Sequence, residues 1–583
     1  MNDRNWLSGA ILTLLVLLSA ASAHAAEVYY LGGQPAADGS TREVSREYTT
    51  AERVNDLFDF ASYGDYAKER SGQITGSFLA EMDWNHTSGN ISKSFLERGT
   101  DYLLETNVNI WQKLWDDYRF FFRKTDDRRI ERMRDVRMKD VNARIYNPDH
   151  LVEFGDVYAD FSSFTMGSSL EGLRGDFNPH RDSALDPRIQ FVAARSQKED
   201  VAGALYERHV FGGKYDVRFW KDQGPFSVVR IGAQMATSQD DSSTGARQSA
   251  SGTAAADLNN AVGGFDGEVS FKEHYNFRWE WARSAFTSDE DTVGHDNLWG
   301  SALRLEPSFR SKYMNFRYLY YHVQPDFRSE TGSASSDKSQ HQFTTDLIVS
   351  PRLRATLVEN WYWDHLDHST RTYRTIHDEK YLTVYMKPLE ERRSLDVRTY
   401  YNFFDENSDD DAESVDNTTA TAGLSVNDRV WDANVGARYE YRAYRDRADR
   451  SRIDTFNRMG ANISRDFELF GRRWYNSADA SLDFRNPKNE DDNDINAGVS
   501  LSGQYDLMEN LDIRYGYNLQ ESAAAAPDAG YMNTRSYVEA DVLIAKKRNT
   551  HWISKIERNV YNHENGEQDY NETRVISKLV SQF

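Results

Sequence analysis

The chain reads GVSLSGQYDLMENLDIRYGYNLQ over residues 498–520. Apolar and polar residues alternate on both sides of the short segment at residues 507–510. Because successive side chains of a strand point to opposite faces, each half predicts a strand with one apolar and one polar face. The stretch therefore predicts a β-hairpin with a tight turn.

The same alternation recurs along most of the chain, for example at residues 74–84, 275–281, 395–403 and 478–484. Alternating segments of roughly ten residues separated by turns are typical of transmembrane β-barrels, in which only every second residue meets lipid. We therefore predict an all-β protein, a large antiparallel transmembrane β-barrel of roughly 22 to 26 strands.

Composition supports this fold class and excludes others. Hydrophobic residues make up 39% and the mean hydropathy is -0.75, and beyond the leader no run of about 18 apolar residues could form a spanning helix. The 33 Tyr and 13 Trp suit a membrane-water boundary, with aromatic pairing in a soluble sheet as the alternative. A net charge of -22 argues against nucleic acid, and the lack of cysteine excludes disulfides and covalent c-type haem. We expect no cofactor.

Three regions are predicted. Residues 1–25 combine Arg4, an apolar run and Ala23-His24-Ala25, which is typical of a cleaved secretory signal. Residues 26–71 do not alternate, and a capping box at residues 49–52 indicates a short helix. This segment could plug the lumen or dock a periplasmic partner. The alternative is a mobile segment before the first barrel strand that packs loosely on the barrel. Residues 72–583 form the barrel.

Connections alternate in length, which indicates short periplasmic turns and long outer loops. Polar stretches at residues 406–419, 486–496 and 521–529 are read as outer loops, and the low-complexity stretch 237–264 as a long mobile one. The densely charged residues 119–144 predict a solvated loop or surface helix. The sharper hypothesis is a basic element that constricts the lumen or binds anions.

The chain ends in Phe583, with Leu579 and Val575 on the same strand face. This end resembles the C-terminal strand read by the outer-membrane insertion machinery, although Ser577 and Ser581 stand where apolar residues are usual. Together with the leader and the alternation, it makes the chain similar to porin-like outer-membrane β-barrel proteins of Gram-negative bacteria. The resemblance implies an outer-membrane location, contact with lipid and assembly by the insertion machinery.

No stretch singles out a chemical site. The acidic stretches 405–416 and 490–494 lack the spacing of a calcium loop, so solvated loop charge is the simpler interpretation. In residues 361–368 the aspartates and histidines divide between two strand faces, so an aromatic girdle explains them better than a metal site. No serine is paired with a base by spacing. We predict no catalytic, metal or cofactor-binding residues and no enzyme activity.

Two functions remain open. Charges on the polar strand face need water, which predicts a hydrated channel for polar solutes. The residues predicted to line it and tune its selectivity are Arg278, Glu280, Arg317, Arg398, Arg438, Glu440 and Arg514. The alternative is a scaffold that sheaths an exported partner, such as a multihaem cytochrome of a porin-cytochrome conduit or a secreted polymer, because barrels this wide can enclose another protein.

Overall fold

A computed structural model describes most of the chain between residues 28 and 582. The described ranges are 28–35, 41–47, 73–90, 99–111, 116–125, 137–146, 149–179, 185–197, 207–219, 225–241, 258–272, 274–288, 298–364, 366, 374–409, 415–448, 453–487, 494–523 and 529–582. The predicted signal sequence, the predicted helix near residues 49–58 and Phe583 lie outside them.

A closed barrel of 26 antiparallel strands forms the body of the protein, which confirms the predicted fold class and strand number. Each strand pairs with its neighbours in sequence, and the last strand pairs with the first to close the ring. No helix among the described residues has the length and apolar character needed to cross a membrane.

The barrel strands are β3 (Gln73–Gly89), β4 (Gly99–Trp111), β5 (Asp116–Thr125), β6 (Arg137–Tyr146), β7 (His150–Ser162), β8 (Met166–Phe177), β9 (Leu185–Gln197), β10 (Glu207–Phe219), β11 (Phe226–Asp241), β12 (Leu258–Phe271), β13 (Tyr275–Ser288), β14 (Leu298–Arg310), β15 (Met314–Val323), β16 (Lys338–Ser350), β17 (Leu353–Asp364), β18 (Thr375–Met386), β19 (Asp396–Ser408), β20 (Asp416–Val430), β21 (Ala433–Asp446), β22 (Ile453–Leu469), β23 (Arg472–Pro487), β24 (Asp494–Met508), β25 (Leu511–Ala523), β26 (Tyr531–Ala545), β27 (Thr550–His563) and β28 (Tyr570–Gln582). A 3-10 turn, Lys546–Arg548, connects β26 and β27. A separate hairpin consists of β1 (Val28–Pro35) and β2 (Thr41–Glu47).

The period-two alternation of the sequence becomes two faces of the barrel wall. On β11 to β13 the outward side chains include Ile231, Phe265 and Trp281, which are 49%, 50% and 38% exposed. Their neighbours Asp266 and Glu280 point inward and are buried. Because lipid accepts apolar side chains and a wet lumen accepts charged ones, the apolar face is the membrane face.

Aromatic side chains mark both borders of the membrane face. At the end with short turns, the rings of Tyr275 and Phe309 are 4.9 Å apart. Toward the opposite end, His341 contacts Tyr320 at 5.0 Å and Trp363 at 5.6 Å between ring centroids. Rings with a polar atom favour the level of the lipid head groups. The band between these borders is the part of the wall that contacts hydrocarbon.

Several polar stretches predicted as loops are strands. β11 and β12 occupy both ends of residues 237–264, and the three predicted outer loops after β19, β23 and β25 are shorter than expected. The charged stretch 119–144 is mostly β5 and β6, so its prediction as a loop or helix was wrong for the described residues. A strand rises about 3.3 Å per residue, so the longer strands of this barrel extend beyond an apolar band of about 25 Å. The parts beyond the band remain strands because their neighbours supply backbone hydrogen bonds.

The hairpin of β1 and β2 lies in residues 26–71, where the sequence indicated only a short helix. β1 and β2 pair in antiparallel register from Val28 opposite Glu47 to Pro35 opposite Thr41. β1 begins with the run Val28-Tyr29-Tyr30-Leu31, which favours a strand by composition although it does not alternate. A pattern search for alternation alone therefore misses it.

The assignment of faces predicts how the wall responds to charge. Leu501 faces outward near the middle of β24, between Ala478 and Tyr517. Leu501→Arg should lower the free energy of unfolding in lipid vesicles by about 2–4 kcal/mol, the cost of an arginine on the lipid face near the bilayer midplane. Urea unfolding in vesicles measures this change. The neighbouring Ser500→Arg, on the inner face, should change stability by only about 0.5 kcal/mol; equal losses in both variants would contradict the assignment.

Candidate functional site in the lumen

The tip of the β7–β8 hairpin leaves the barrel wall. β7 pairs with β6 only as far as Gly155 opposite Asn142, and β8 pairs with β9 only as far as Glu171 opposite Arg195. Gly155 has a φ of 99°, a left-handed conformation that glycine adopts without a steric cost. Beyond this bend, the two strands remain paired to each other but separate from the wall.

The detached tip, residues 156–170, folds into the lumen with its apolar face against the inner wall. This face and the wall beneath it form one buried cluster: Val157, Ala159, Phe161, Met166, Leu170, Val192, Ala194, Val210 and Ala236. Gly212 lies under the tip, where an added Cβ would sit 2.7 Å from the Phe161 ring and 2.9 Å from the end of Met166. The wall therefore carries small side chains where the tip lies.

Polar groups of the wall hold the end of the tip in place. Gln234 Nε2 donates a hydrogen bond to Ser162 Oγ at 2.7 Å, and the buried carboxylate of Glu280 accepts one from the Phe164 backbone N–H at 3.3 Å. Lys214 Nζ donates to a carbonyl oxygen of the tip at 2.5 Å. These side chains come from β11, β13 and β10, so the tip crosses several strands of the inner wall.

The connection between β15 and β16, residues 324–337, also lies inside the barrel. The Arg328 backbone N–H donates to Ser284 Oγ at 3.0 Å, and the Glu330 N–H donates to Asn260 Oδ1 at 3.1 Å. Ser284 and Asn260 are buried inner-face residues of β13 and β12. The connection therefore runs back across the wall rather than out into solvent.

Small residues of the wall allow this close approach. A Cβ on Gly300 would overlap the backbone of Phe327. Ala282 and Ala302, on β13 and β14, are buried in the same cluster as Phe327. At the far end of the connection, an ion pair of Glu330 with Arg208 on β10 measures 2.7 Å.

The two inward segments bind each other. The Gly167 N–H donates to the Thr331 carbonyl at 2.7 Å, and the Ser333 N–H donates to the Ser163 carbonyl at 2.9 Å. The rings of Phe164 and Phe327, edge to face, are 5.9 Å apart. We call these two segments, residues 156–170 and 324–337, the lumenal insert. The insert narrows the lumen along the wall of β9 to β14.

All seven residues predicted to line the lumen lie on the inner face. Arg278 pairs with Glu268 at 3.3 Å, and Arg317 pairs with Glu306 at 2.8 Å. Glu280 differs from the prediction, because it is buried under the insert and anchors it. The alternation of the strand predicts that Glu280 is on the inner face, but it does not predict that another segment covers this part of the face.

The other predicted lumen residues lie on strands far from the insert. Arg514 bridges Glu539 at 2.8 Å and Asp541 at 3.3 Å. Glu440 accepts a hydrogen bond from the hydroxyl of Tyr400. Both groups lie on the inner wall.

Arg398 and Arg438 differ from the other predicted lumen arginines in their contacts. The guanidinium of Arg398 lies over the rings of Tyr385 at 5.3 Å and Tyr400 at 5.7 Å. Arg438 lies two strands away in the same row of paired residues, because both arginines pair in register with Ser425 on β20.

Sequence reasoning missed the lumenal insert. Its signals were small residues at alternate inner positions, namely Ala236, Ala282, Gly300 and Ala302, which leave room for a second layer. A further signal is Gly155 at the bend, because glycine inside a strand marks a bulge or a close approach of the backbone. Small side chains show where space exists, but they do not tell which segment fills it.

The predicted insertion signal lies on the outer face where it is described. Val575 and Leu579 point toward lipid on β28, and Phe583 lies outside the described residues. Ser577, which departs from the usual apolar pattern, accepts a hydrogen bond from Trp552 Nε1 at 2.9 Å. Its hydroxyl is therefore paired on the outer face. Recognition by the insertion machinery stays a prediction.

No family model matches the chain, and no curated protein matches it in sequence. Among solved structures, the translocation pore of the P pilus usher PapC is 11% identical, with 87% of this chain and 99% of that chain covered and a TM-score of 0.36. The siderophore receptor PirA from Pseudomonas aeruginosa is 10% identical, with 88% and 80% covered and a TM-score of 0.37. OccK3 (OpdO) from Pseudomonas aeruginosa is 10% identical, with 90% and 99% covered and a TM-score of 0.27.

The architecture is that of a porin-like outer-membrane β-barrel. A closed strand ring with an apolar outer face satisfies every backbone group in lipid, and such barrels lie in the outer membrane of Gram-negative bacteria. The protein therefore contacts outer-membrane lipid. Among the described residues, no group of three or more histidines and carboxylates is arranged to hold a metal ion.

The seating of the insert can be tested with glycine variants. Gly300→Ala should displace residues 324–337, because the new methyl group would overlap the Phe327 backbone. Hydrogen exchange in detergent micelles should show the Arg328 and Glu330 amides exchanging at least tenfold faster, the result of losing about 1.4 kcal/mol of protection. Gly263→Ala is the matched control, since its Cβ would meet only a carbonyl oxygen at 3.9 Å. Unchanged exchange in Gly300→Ala would contradict the described contact.

Proposed function

We propose that the protein is an outer-membrane channel for polar solutes and that the lumenal insert forms its constriction. The observation that carries the proposal is the two-segment insert, anchored inside a barrel whose inner wall is otherwise polar and charged. A ring of this size without an insert would leave a wide opening. An inward layer on one side reduces the passage without closing the wall.

The wall on the far side offers hydrogen bonds to a passing solute. β20 to β25 carry a shallow cavity of about 610 Å³ on the inner face. Its polar lining includes amide and hydroxyl residues, namely Asn427, Asn462, Ser481, Ser500, Asn518 and Gln520, and the charged Arg438, Asp479 and Asp483. Such groups replace the water that a polar solute loses on entering a narrow passage. This surface favours hydrogen-bonding solutes over apolar ones.

Charge on the inner wall supports a preference for anions at this level. Arg398 and Arg438 have no carboxylate within 4.0 Å among the residues that the structure describes, unlike Arg278, Arg317 and Arg514. The positive charge of a guanidinium without a close carboxylate is not neutralised by the protein, so it attracts mobile anions in the lumen. The two arginines therefore attract anions more strongly than the ion-paired parts of the wall.

The rival proposal is a sheath around an exported partner, such as a multihaem cytochrome or a polymer. The insert supports the channel over the sheath, because a partner would have to fit beside a second layer anchored to β10, β12 and β13. The passage of polar solutes, a periplasmic partner and the lack of enzyme activity stay predictions.

Channel activity is tested in planar bilayers. The purified barrel should give stable conductance steps, and replacing residues 326–334 by a short glycine linker should raise the conductance because it removes half of the constriction. The deletion variant needs a heat-modifiable, folded band in unboiled gel samples as its control. Silent bilayers from folded protein, together with co-purification of a haem protein, would instead support the sheath.

Ion selectivity is tested with two arginine substitutions. The double variant Arg398→Gln/Arg438→Gln should lower the chloride-to-potassium permeability ratio severalfold, since a unit charge pair at 4 Å in water interacts by about 1 kcal/mol. Reversal potentials in a salt gradient measure the ratio. Arg283→Gln is the control, because Arg283 lies on the outer face over the Trp299 ring at 4.8 Å. The proposal fails if both variants have the same ratio.

A further inference from the structure

The inward fold of the β7–β8 tip leaves a gap in the barrel wall. Among the described residues, positions 137–141 of β6 and 196–197 of β9 have no strand partner on the edges that face each other. The five unpaired residues of β6 correspond to about 16 Å of strand edge. The gap lies toward the end of the barrel that carries the long connections, which is the outer end of such barrels.

A cavity of about 500 Å³ occupies the gap. Its lining includes Asn142 on one flank, Ser196 on the other and Tyr158 on the detached tip. It also includes Arg144 from the inner face of β6 and Arg195 from the outer face of β9. The cavity therefore borders residues whose side chains belong to opposite faces of the wall, and we read it as a passage from the lumen toward the outer surface.

The gap begins where the lipid-facing band of β9 ends. The outward side chains of β9 are apolar up to Ala193, and the next outward residue is Arg195. Arg195 pairs with Glu171 at 2.9 Å and with Glu207 at 2.5 Å. A charged cluster directly above an apolar band marks the level of the lipid head groups. The floor of the gap is therefore at the head-group level of the outer leaflet.

We propose that this gap is a lateral passage through which an amphiphile of the outer leaflet reaches the lumen. Its polar head group would occupy the cavity, while its acyl chain would follow Phe154 and Tyr158, which are 45% and 52% exposed at the bend and on the tip. Unpaired strand edges facing lipid cost several kcal/mol per group unless something pairs with them. A head group rich in oxygen supplies the missing acceptors and donors.

The route through the wall is distinct from the channel function. A polar solute enters and leaves by the two ends of the barrel, so an opening toward lipid serves only a molecule that stays partly in lipid. The inference requires the gap and its cavity but no ion flow. Conductance and lateral access can therefore fail independently.

Photo-crosslinking tests the passage. A benzophenone amino acid is placed at Tyr158 in the full-length protein in phosphatidylglycerol vesicles that contain alkyne-tagged lysophosphatidylglycerol. The same probe at Phe154, on the lipid face, is the positive control, and at Ser500, on the distant inner wall, it is the negative control. Position 158 should crosslink the lipid at least fivefold more than position 500. Equal crosslinking at 158 and 500 would overturn the proposal.

Competition separates a head-group site from simple contact with bulk lipid. Dodecyl phosphate added below its micellar concentration should reduce crosslinking at position 158 by at least half and leave position 154 unchanged. Crosslinking at 158 that the competitor does not reduce would overturn the head-group site. A heat-modifiable band in unboiled gel samples shows that each of the three variants is folded, and planar-bilayer conductance without crosslinking leaves the channel proposal intact.

Discussion

The structure depends on one requirement, that backbone N–H and C=O groups in hydrocarbon must be paired with each other. Leaving one unpaired there costs several kcal/mol, so strands can cross a membrane only as a closed ring. The pairing of β28 with β3 supplies that closure. Once the ring is closed, its interior is wet, and a charged network such as Arg230 with Asp216 at 2.7 Å and Asp266 at 2.5 Å can face it.

The lumenal insert is stabilised by a different interaction, the burial of apolar side chains from water, because it forms inside the water-filled barrel. Its apolar face gains by leaving water, and fully burying a Phe or Met side chain contributes about 1.5–3 kcal/mol. Phe161, Phe164 and Met166 are all buried against the wall or the partner segment. At the tip, the Ser162 hydroxyl is paired with Gln234 and the Phe164 backbone N–H with Glu280, so burial leaves these groups satisfied. The insert is thus held as a second layer of the wall.

The sequence predicted the ring well and the insert poorly, for a physical reason. In residues 498–520 the alternation predicted the two strands, β24 and β25, and the turn between them, which the structure pairs with Leu501 opposite Tyr517. Period two reports which face a side chain is on, and that is enough to place Arg438 on the inner wall. It does not report what covers a face, so Glu280 was placed in the open lumen although the insert buries it. The two described ends of the stretch 237–264 are strands and were misread as loop, because small polar residues suit both a loop and a wall beneath another layer.

One displacement accounts for both unusual features of the lumen. The bend at Gly155 takes the tip of β7 and β8 out of the wall, and the residues that leave it form one of the two segments of the constriction. The constriction and the gap therefore cannot be separated: a tip that returned to the wall would widen the lumen and restore the missing pairs of β6 and β9. Tyr158 stands on the side of the tip that faces away from its buried contacts, so any molecule in the gap touches the insert directly. Occupancy of the gap and width of the channel are consequently linked through one hairpin.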